Sequence, residues 1–536
     1  MNVSYLRQSI RVIFCIIVVA ALLCGCSSSK QPVLTDAKDM VFTIADHTGD
    51  HGFPSPFAHY FRGPGYLRMS LLFDALIWKD DKGYIPALAE SWEYNKEENS
   101  YVFHLQKKAT WHDGQKFTAN DVIFTFEYLK QHPYYITNIS MIKQVEALNE
   151  YEVKFYLDRL YAPFLDTIAG TIPILPEHIW KGVTDPSNFR RKEALIGTGP
   201  FRLADYSKEN GTYLYEAYNE YYQGKPKFHQ IKMVKMNVEM VAAALKQKQI
   251  DMAQIPPELV KPLEQAGIKV MAMPHDWVAN LVINHRKEPF NNKEFRRALA
   301  YAIDRKALIE TTLRGEGLAG NPGLVPADNE WFNPVLKDLY VYDPAKTESI
   351  LSKLGYVKNG PYWEKNGQIL ELELLTGNSG GSGGVDEPGE RHGEFIKSQL
   401  EKVGLKVNLR ILESKTADSR ISEWNFDLAL NSHGGLGADP DYLKNEIMGK
   451  NFNSARFQDN ETLANLLNQQ VSILDKTERR QLIDKIQAEY ADEVPAVPLY
   501  YPTRYYAYTP KISLFVTKQG IGLGVPIPLN KMFFVK

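Results

Sequence analysis

Three histidines and an aspartate crowd one short stretch, His47-Thr-Gly-Asp-His51 with His59 eight residues on. Imidazoles beside a carboxylate suit nickel, copper or zinc, so His47, His51 and His59 are candidate metal ligands. Their loop, His47 to Gly65, is rich in proline and glycine, and a solvated loop is the plain alternative. Gly377-Asn-Ser-Gly-Gly381 matches the G-x-S-x-G of a serine nucleophile. That chemistry needs a strand, a sharp turn and then a helix, and here further glycines follow the strand. The His-Glu-x-x-His and phosphate-loop patterns are absent from the sequence. Carboxylates are plentiful, but none is paired in a way that points to glycoside hydrolysis. No catalytic group, no enzyme activity and no cofactor is expected.

The three cysteines, Cys15, Cys24 and Cys26, all fall in the first 26 residues. Arg7 and Arg11 precede an apolar run from Val12 to Leu23, which is too short to span a bilayer and fits an export signal. Leu23-Cys24-Gly25-Cys26 resembles a bacterial lipobox, which implies cleavage before Cys26 and acylation of its thiol. Residues 1–25 then form the signal peptide, and 26–39 a lipidated polar tether. Such a mature chain keeps no free thiol, which excludes cysteine catalysis and thiolate metal sites. Several acyl chains give stable anchoring. Ser27 after the cysteine differs from the acidic retention signal and leans towards an outer membrane.

The 536 residues are 44% hydrophobic and 24% charged with net charge −2, so a folded chain of roughly three domains is expected, with no electrostatic reason to bind nucleic acid. Thirty tyrosines and eight tryptophans suit a cleft that grips varied ligands. Alternating patterns predict strands at 40–45, 101–105, 153–157, 370–375, 407–412 and 426–430. Helical spacing predicts helices at 66–78, from the cap Thr118-Ala-Asn-Asp121 to about 130, and at 240–248, 292–313, 393–403 and 461–490. Strands and helices intermix, so the class is α/β.

A series of segments carries a further reading: Pro86-Ala-Leu-Ala-Glu-Ser-Trp92, Tyr101-Val-Phe-His-Leu105, Trp111-His-Asp-Gly114 and Phe117-Thr-Ala-Asn-Asp-Val122. Then come Gly197-Thr-Gly-Pro-Phe201, Asn219-Glu-Tyr-Tyr222, Phe295-Arg-Arg-Ala-Leu-Ala-Tyr-Ala-Ile-Asp304, Tyr342-Asp-Pro-Ala-Lys346 and Gly437-Ala-Asp-Pro-Asp441. In this order they resemble bacterial solute-binding protein family 5. The resemblance implies a two-lobed periplasmic-binding-protein fold (type II-like) with an extra domain inserted in the first lobe. It sets the first lobe at 40–75, 191–275 and 496–536, the inserted domain at 76–190 and the second lobe at 276–495.

The resemblance also implies the function: a ligand-binding lipoprotein of an ABC importer that captures peptides and passes them to a permease driven by its ATPase. A nickel or other metal chelate is the alternative ligand. A surface-anchored hydrolase and a sensory or chaperone-like receptor are more distant readings. The chain is expected outside the cytoplasm, membrane-anchored and monomeric. By position, the ligand contacts are Tyr66, Arg68, Tyr134, Tyr135, Trp277, Asn431, His433 and Asp439. Where peptide-binding relatives hold the ligand's ammonium with an Asp, this chain has Leu436, which leaves Asp439 or Asp441 for that role. Where nickel-chelate relatives have an Arg and a His, it has Ile172 and Asn431.

Overall fold

A computed structural model describes residues 40–60, 63–134, 137–378, 388–517, 520–521 and 529–535. The signal peptide, Cys26, the tether, Tyr135 and most of the glycine-rich stretch after Gly377 lie outside the described residues. Val41–Lys536 forms one compact unit.

The strand Val41–Asp46 buries Phe42 and Ile44, as its alternation requires. It pairs in parallel with Gln230–Lys235 on one side and Met252–Ile255 on the other. These form the centre of a seven-stranded sheet completed by Lys269–Ala272, Tyr505–Tyr508, Thr212–Ala217 and Phe201–Ser207. A second sheet has six strands, in the order Gly317–Ala319, Ala496–Pro502, Val278–Ile283, Leu428–His433, Glu371–Gly377 and Lys406–Leu412. The first sheet carries strands expected in the first lobe, and every strand of the second sheet but Ala496–Pro502 falls in the stretch expected for the second lobe.

A four-stranded antiparallel sheet lies between them in sequence, made of Ala89–Asn95, Ser100–Leu105, Glu152–Leu157 and Ile142–Asn149. The helix Ala119–Gln131 covers it. That helix starts where the sequence sets a cap: the Thr118 amide donates to Asp121 Oδ2 at 2.9 Å. Trp111, Phe103, Phe155, Phe164 and Trp180 fill the core of this region.

Several boundaries differ from expectation. Ala496–Pro502, placed by sequence in the first lobe, pairs with Val278–Ile283 and Gly317–Ala319 in the second. The return crossing is therefore at Thr503–Arg504; an apolar run wholly buried on both faces fits either sheet equally well. The expected helix 292–313 is two helices, Lys293–Tyr301 and Arg305–Leu313, because Asp304 caps the second by accepting from the Ala307 amide. Asp475 does the same between Glu461–Gln470 and Lys476–Glu493. The helix expected at 66–78 is Gly63–Ser70. Past it, the carbonyls of Leu71 and Leu72 accept from the Phe201 and Gly199 amides instead of continuing the helical ladder. No helix among the described residues is long and apolar enough to cross a membrane.

Candidate functional site

One wall of the site grows from the helix Gly63–Ser70. Tyr66 and Arg68 are two residues apart, roughly 200° around a helix, so they serve opposite sides. The Tyr66 hydroxyl donates to the Thr171 carbonyl at 2.8 Å. His59 lies beside it, with Nε2 3.1 Å from the Tyr134 hydroxyl. Tyr66, His59 and Tyr134 thus meet at the face of the four-stranded region. Burial pushes both phenols well above their ordinary pKa, so they stay protonated donors.

Arg68 faces the other way, under the seven-stranded sheet. It donates to Asp46 Oδ2 at 2.7 Å and to the Pro64 carbonyl, and its guanidinium lies 4.9 Å from the centre of the Tyr213 ring. Asp46 also receives His51 Nε2 at 3.0 Å and the Thr48 hydroxyl. Burial raises the Asp46 carboxyl, but the His51 hydrogen bond and the Arg68 charge outweigh it and hold it well below the usual carboxylate range. Arg68, expected at the ligand, is therefore committed to Asp46.

The metal set does not converge. His51 turns to Asp46 and Thr48, and His59 to Tyr134 and the Tyr60 carbonyl. Among the described residues no three His, Cys, Asp or Glu side chains are gathered to hold a metal ion. The bridge between Gly52 and His59 folds that loop back on itself, yet the His51 and His59 rings turn to different partners.

The other wall is the end of the strand Leu428–His433. It runs antiparallel to Val278–Ile283, with Val278 opposite His433 and Asn280 opposite Asn431, so these four residues share a face. Asn431 donates to the Phe452 carbonyl and to Asn453 Oδ1. His433 Nδ1 lies 2.5 Å from Glu446 Oε2, and both are buried. Beyond His433 the chain passes between two aromatic rings. A Cβ at Gly434 would come within 2.3 Å of the Trp277 ring, and one at Gly435, where φ is +96°, within 2.7 Å of Tyr442. Only glycine fits this passage. The Tyr442 hydroxyl donates to the Gly434 carbonyl. Trp277, half-buried, is thereby seated against the loop that follows His433.

Asp439 lies just past this loop. Its two oxygens are held by the Arg479 guanidinium, which also donates to Gln470. Asp439, expected as a ligand contact and a substitute amine anchor, is thus already paired. Asp441 accepts the Tyr161 hydroxyl at 2.6 Å. Leu436 is buried in an apolar cluster with Val278, Leu443 and Tyr490, and Ile172 in the core of the four-stranded region.

The walls are joined where the chain crosses twice, at Met273–Trp277 and Thr503–Arg504. The crossings lie side by side: the Met273 amide donates to the Arg504 carbonyl at 2.8 Å, and His275 Nε2 is 2.9 Å from Thr503 Oγ1. Arg504 and Asp276 form a buried ion pair between them. These two short, adjacent crossings link the seven-stranded and six-stranded sheets.

A family model described as "Bacterial extracellular solute-binding proteins, family 5 Middle" matches residues 83–454. The chain belongs to this family. It is similar to heme-binding protein A of Haemophilus influenzae, 27% identical over 476 residues that cover 80% of this chain and 81% of that one. The dipeptide-binding protein of Escherichia coli strain K12 is 27% identical over 386 residues, covering 67% of this chain and 69% of that one. Among solved structures, NikA from Brucella suis in complex with Fe(III)-EDTA aligns with a TM-score of 0.77 at 21% identity, over 91% of this chain and 99% of that chain. The fold is the two-lobed binding-protein fold, and as a family 5 chain this protein is a solute-binding component of transport.

Sequence reasoning missed Tyr161, Asp166, Glu446 and Arg479. Asp439 and Asp441 stood out within Gly437-Ala-Asp-Pro-Asp441, but their partners Asp166 and Tyr161 are 273 and 280 residues away. Nothing local signals such a pairing.

Proposed function

We propose that this chain captures peptides between its two walls and delivers them to the permease of an ABC importer. Acyl chains on Cys26 hold it at the membrane, outside the cytoplasm, and it acts as a monomer. The observation that carries this reading is the paired crossing at Met273–Trp277 and Thr503–Arg504, with Trp277 seated against Gly434 at the cleft. A hinge with an aromatic anchor beside it closes on a ligand without needing a catalytic group. The E. coli dipeptide-binding relative supports peptides as the ligand class.

In this reading Tyr66, Tyr134, Trp277, Asn431 and His433 line the ligand, and Tyr135, outside the described residues, is a contact by sequence position alone. Arg68 and Asp439 support the walls, since their charges are already matched by Asp46 and Arg479. A peptide held through its backbone along the Gly434–Gly435 loop would be accepted largely regardless of sequence.

Thermal melts of the protein stripped of carried-over ligand test this, with di- to pentapeptides, nickel with and without histidine, and heme in separate arms. A ligand at 100 times its dissociation constant adds about 2.7 kcal/mol of stability. Peptides are expected to shift the melt. A shift with nickel–histidine or heme and none with peptides would overturn the reading. Trp277→Ala is expected to weaken peptide binding about tenfold or more, as loss of an aromatic anchor does, and to lower the unliganded melt because the ring also packs on Gly434. Peptide uptake restored in a strain lacking this chain separates transport from sensing, and unchanged peptide after incubation separates it from hydrolysis.

A further inference from the structure

Away from the proposed ligand contacts, the four-stranded region and the second lobe touch along a polar strip. The Tyr161 hydroxyl donates to Asp441 Oδ2 at 2.6 Å. The Asp439 amide donates to Asp166 Oδ2 at 3.2 Å, and the Ala162 amide to the Val471 carbonyl at 2.6 Å. The Val471 side chain packs against the core that contains Tyr161 and Phe164.

The ion pairs of this strip close within each side, although the Asp439 charge also reaches Lys79 across it. Asp166, buried, is paired with Lys79 and accepts the Tyr84 hydroxyl, both from its own side. Asp439 is paired with Arg479, which is tied to Gln470, next to Val471. Separating the two sides therefore breaks hydrogen bonds and an apolar contact and weakens the pull of Asp439 on Lys79, but leaves each ion pair whole. Parting an ion pair across a buried interface would leave bare charge and resist opening strongly. A contact in which each half keeps its own counter-ion can open and close.

We propose that Tyr161, Ala162 and Asp166 on one side, with Asp439, Asp441 and Val471 on the other, form a latch that holds the two walls together in the absence of ligand. The Tyr161–Asp441 bond is its principal fastening, since it joins a hydroxyl to a carboxylate and such charge-assisted bonds are the stronger kind. The latch rests on the two-lobed fold and is independent of which ligand the cleft takes.

Amide hydrogen exchange of the full chain in detergent, without ligand, reads the latch directly. The Ala162 and Asp439 amides are themselves donors across the strip. Both are expected to be protected, and Tyr161→Phe is expected to speed their exchange about tenfold or more. Asp441→Asn is expected to act in the same direction. The strand Val41–Asp46 should exchange as before. Tyr151→Phe, which removes an exposed hydroxyl bonded to Glu150 in the same region, should change neither amide. Rapid exchange of Ala162 and Asp439 in the unaltered protein would overturn the proposal. So would unchanged exchange in both Tyr161→Phe and Asp441→Asn, or acceleration that extends equally to Val41–Asp46. Because no ligand is present, failure here leaves the peptide reading standing, and failure of that reading leaves the latch standing.

Discussion

Asp74→Asn is expected to cost about 3–5 kcal/mol of stability, the usual penalty for removing one member of a buried ion pair. Asp74 and Lys531 are both almost fully inaccessible, and the ammonium donates to the carboxylate. Lys531 also donates to the Phe73 carbonyl and lies 4.1 Å from the centre of the Trp78 ring. The carboxylate further accepts the Tyr222 hydroxyl at 3.1 Å. Burial pulls the Lys531 ammonium below its ordinary pKa, and Asp74 holds it up. Without Asp74 the ammonium is left in a dry core with no counter-charge. Lys531→Met should cost a similar amount, because it strands the carboxylate instead.

The double variant should lose less than the sum of the two, by about 1–3 kcal/mol, since the second change removes the group that the first left unpaired. Urea unfolding of the four proteins measures this. Strict additivity would show that the pair is not coupled. The pair also fastens the C-terminal turn Lys531–Phe534 to the first lobe, so the single variants should expose that turn to proteolysis before the rest of the chain.

Stability is expected to fall steeply as pH drops from about 6.5 towards 4. Burial lowers His59, His112, His285 and His392 to about 4 in the folded protein. In the unfolded chain a histidine titrates near 6.5. Between these values the unfolded chain binds more protons, so acid favours unfolding throughout the window, while above pH 6.5 the contribution is fully kept. For the two most buried, His59 and His112, the limiting loss is roughly 3 kcal/mol each. Asp46 acts below this window: its folded carboxyl is depressed, so its contribution persists through pH 4 and is lost only in stronger acid.

Urea midpoints at pH 7, 5.5 and 4.5 check the slope. His112 is held between the Gly197 amide and the Gly199 carbonyl. His112→Gln should lower stability at pH 7 yet flatten its fall with acid, which separates proton linkage from simple loss of packing. A wild-type stability that stays level from pH 6.5 to 4.5 would refute the assignment.

Much of this protein is written locally. The α/β class, the strands near 41, 100, 152 and 406 and the helix after Thr118 all follow from periods of two and 3.6 and from capping residues, which act within a few positions. The ordered segments that resemble the family are local too, each a motif of a few residues such as Gly197-Thr-Gly-Pro-Phe201. Where local signals compete, they misled: the apolar periodicity from 292 to 313 runs straight through Asp304, although that residue ends one helix and caps the next.

The site was less legible, for a definite reason. A residue type states what a side chain can do, and its neighbours in space decide what it does. Arg68 and Asp439 have the right chemistry to meet a charged ligand, but Asp46 and Arg479 already neutralise them. His51 and His59 are near one another in sequence, yet their rings turn to different partners. The Asp276–Arg504 pair, the Asp74–Lys531 pair and the contact of Tyr161 with Asp441 join residues 228, 457 and 280 positions apart. Such pairs form only once the lobes have packed and excluded water from both partners, because it is desolvation, rather than spacing along the chain, that selects which charges and hydroxyls must meet.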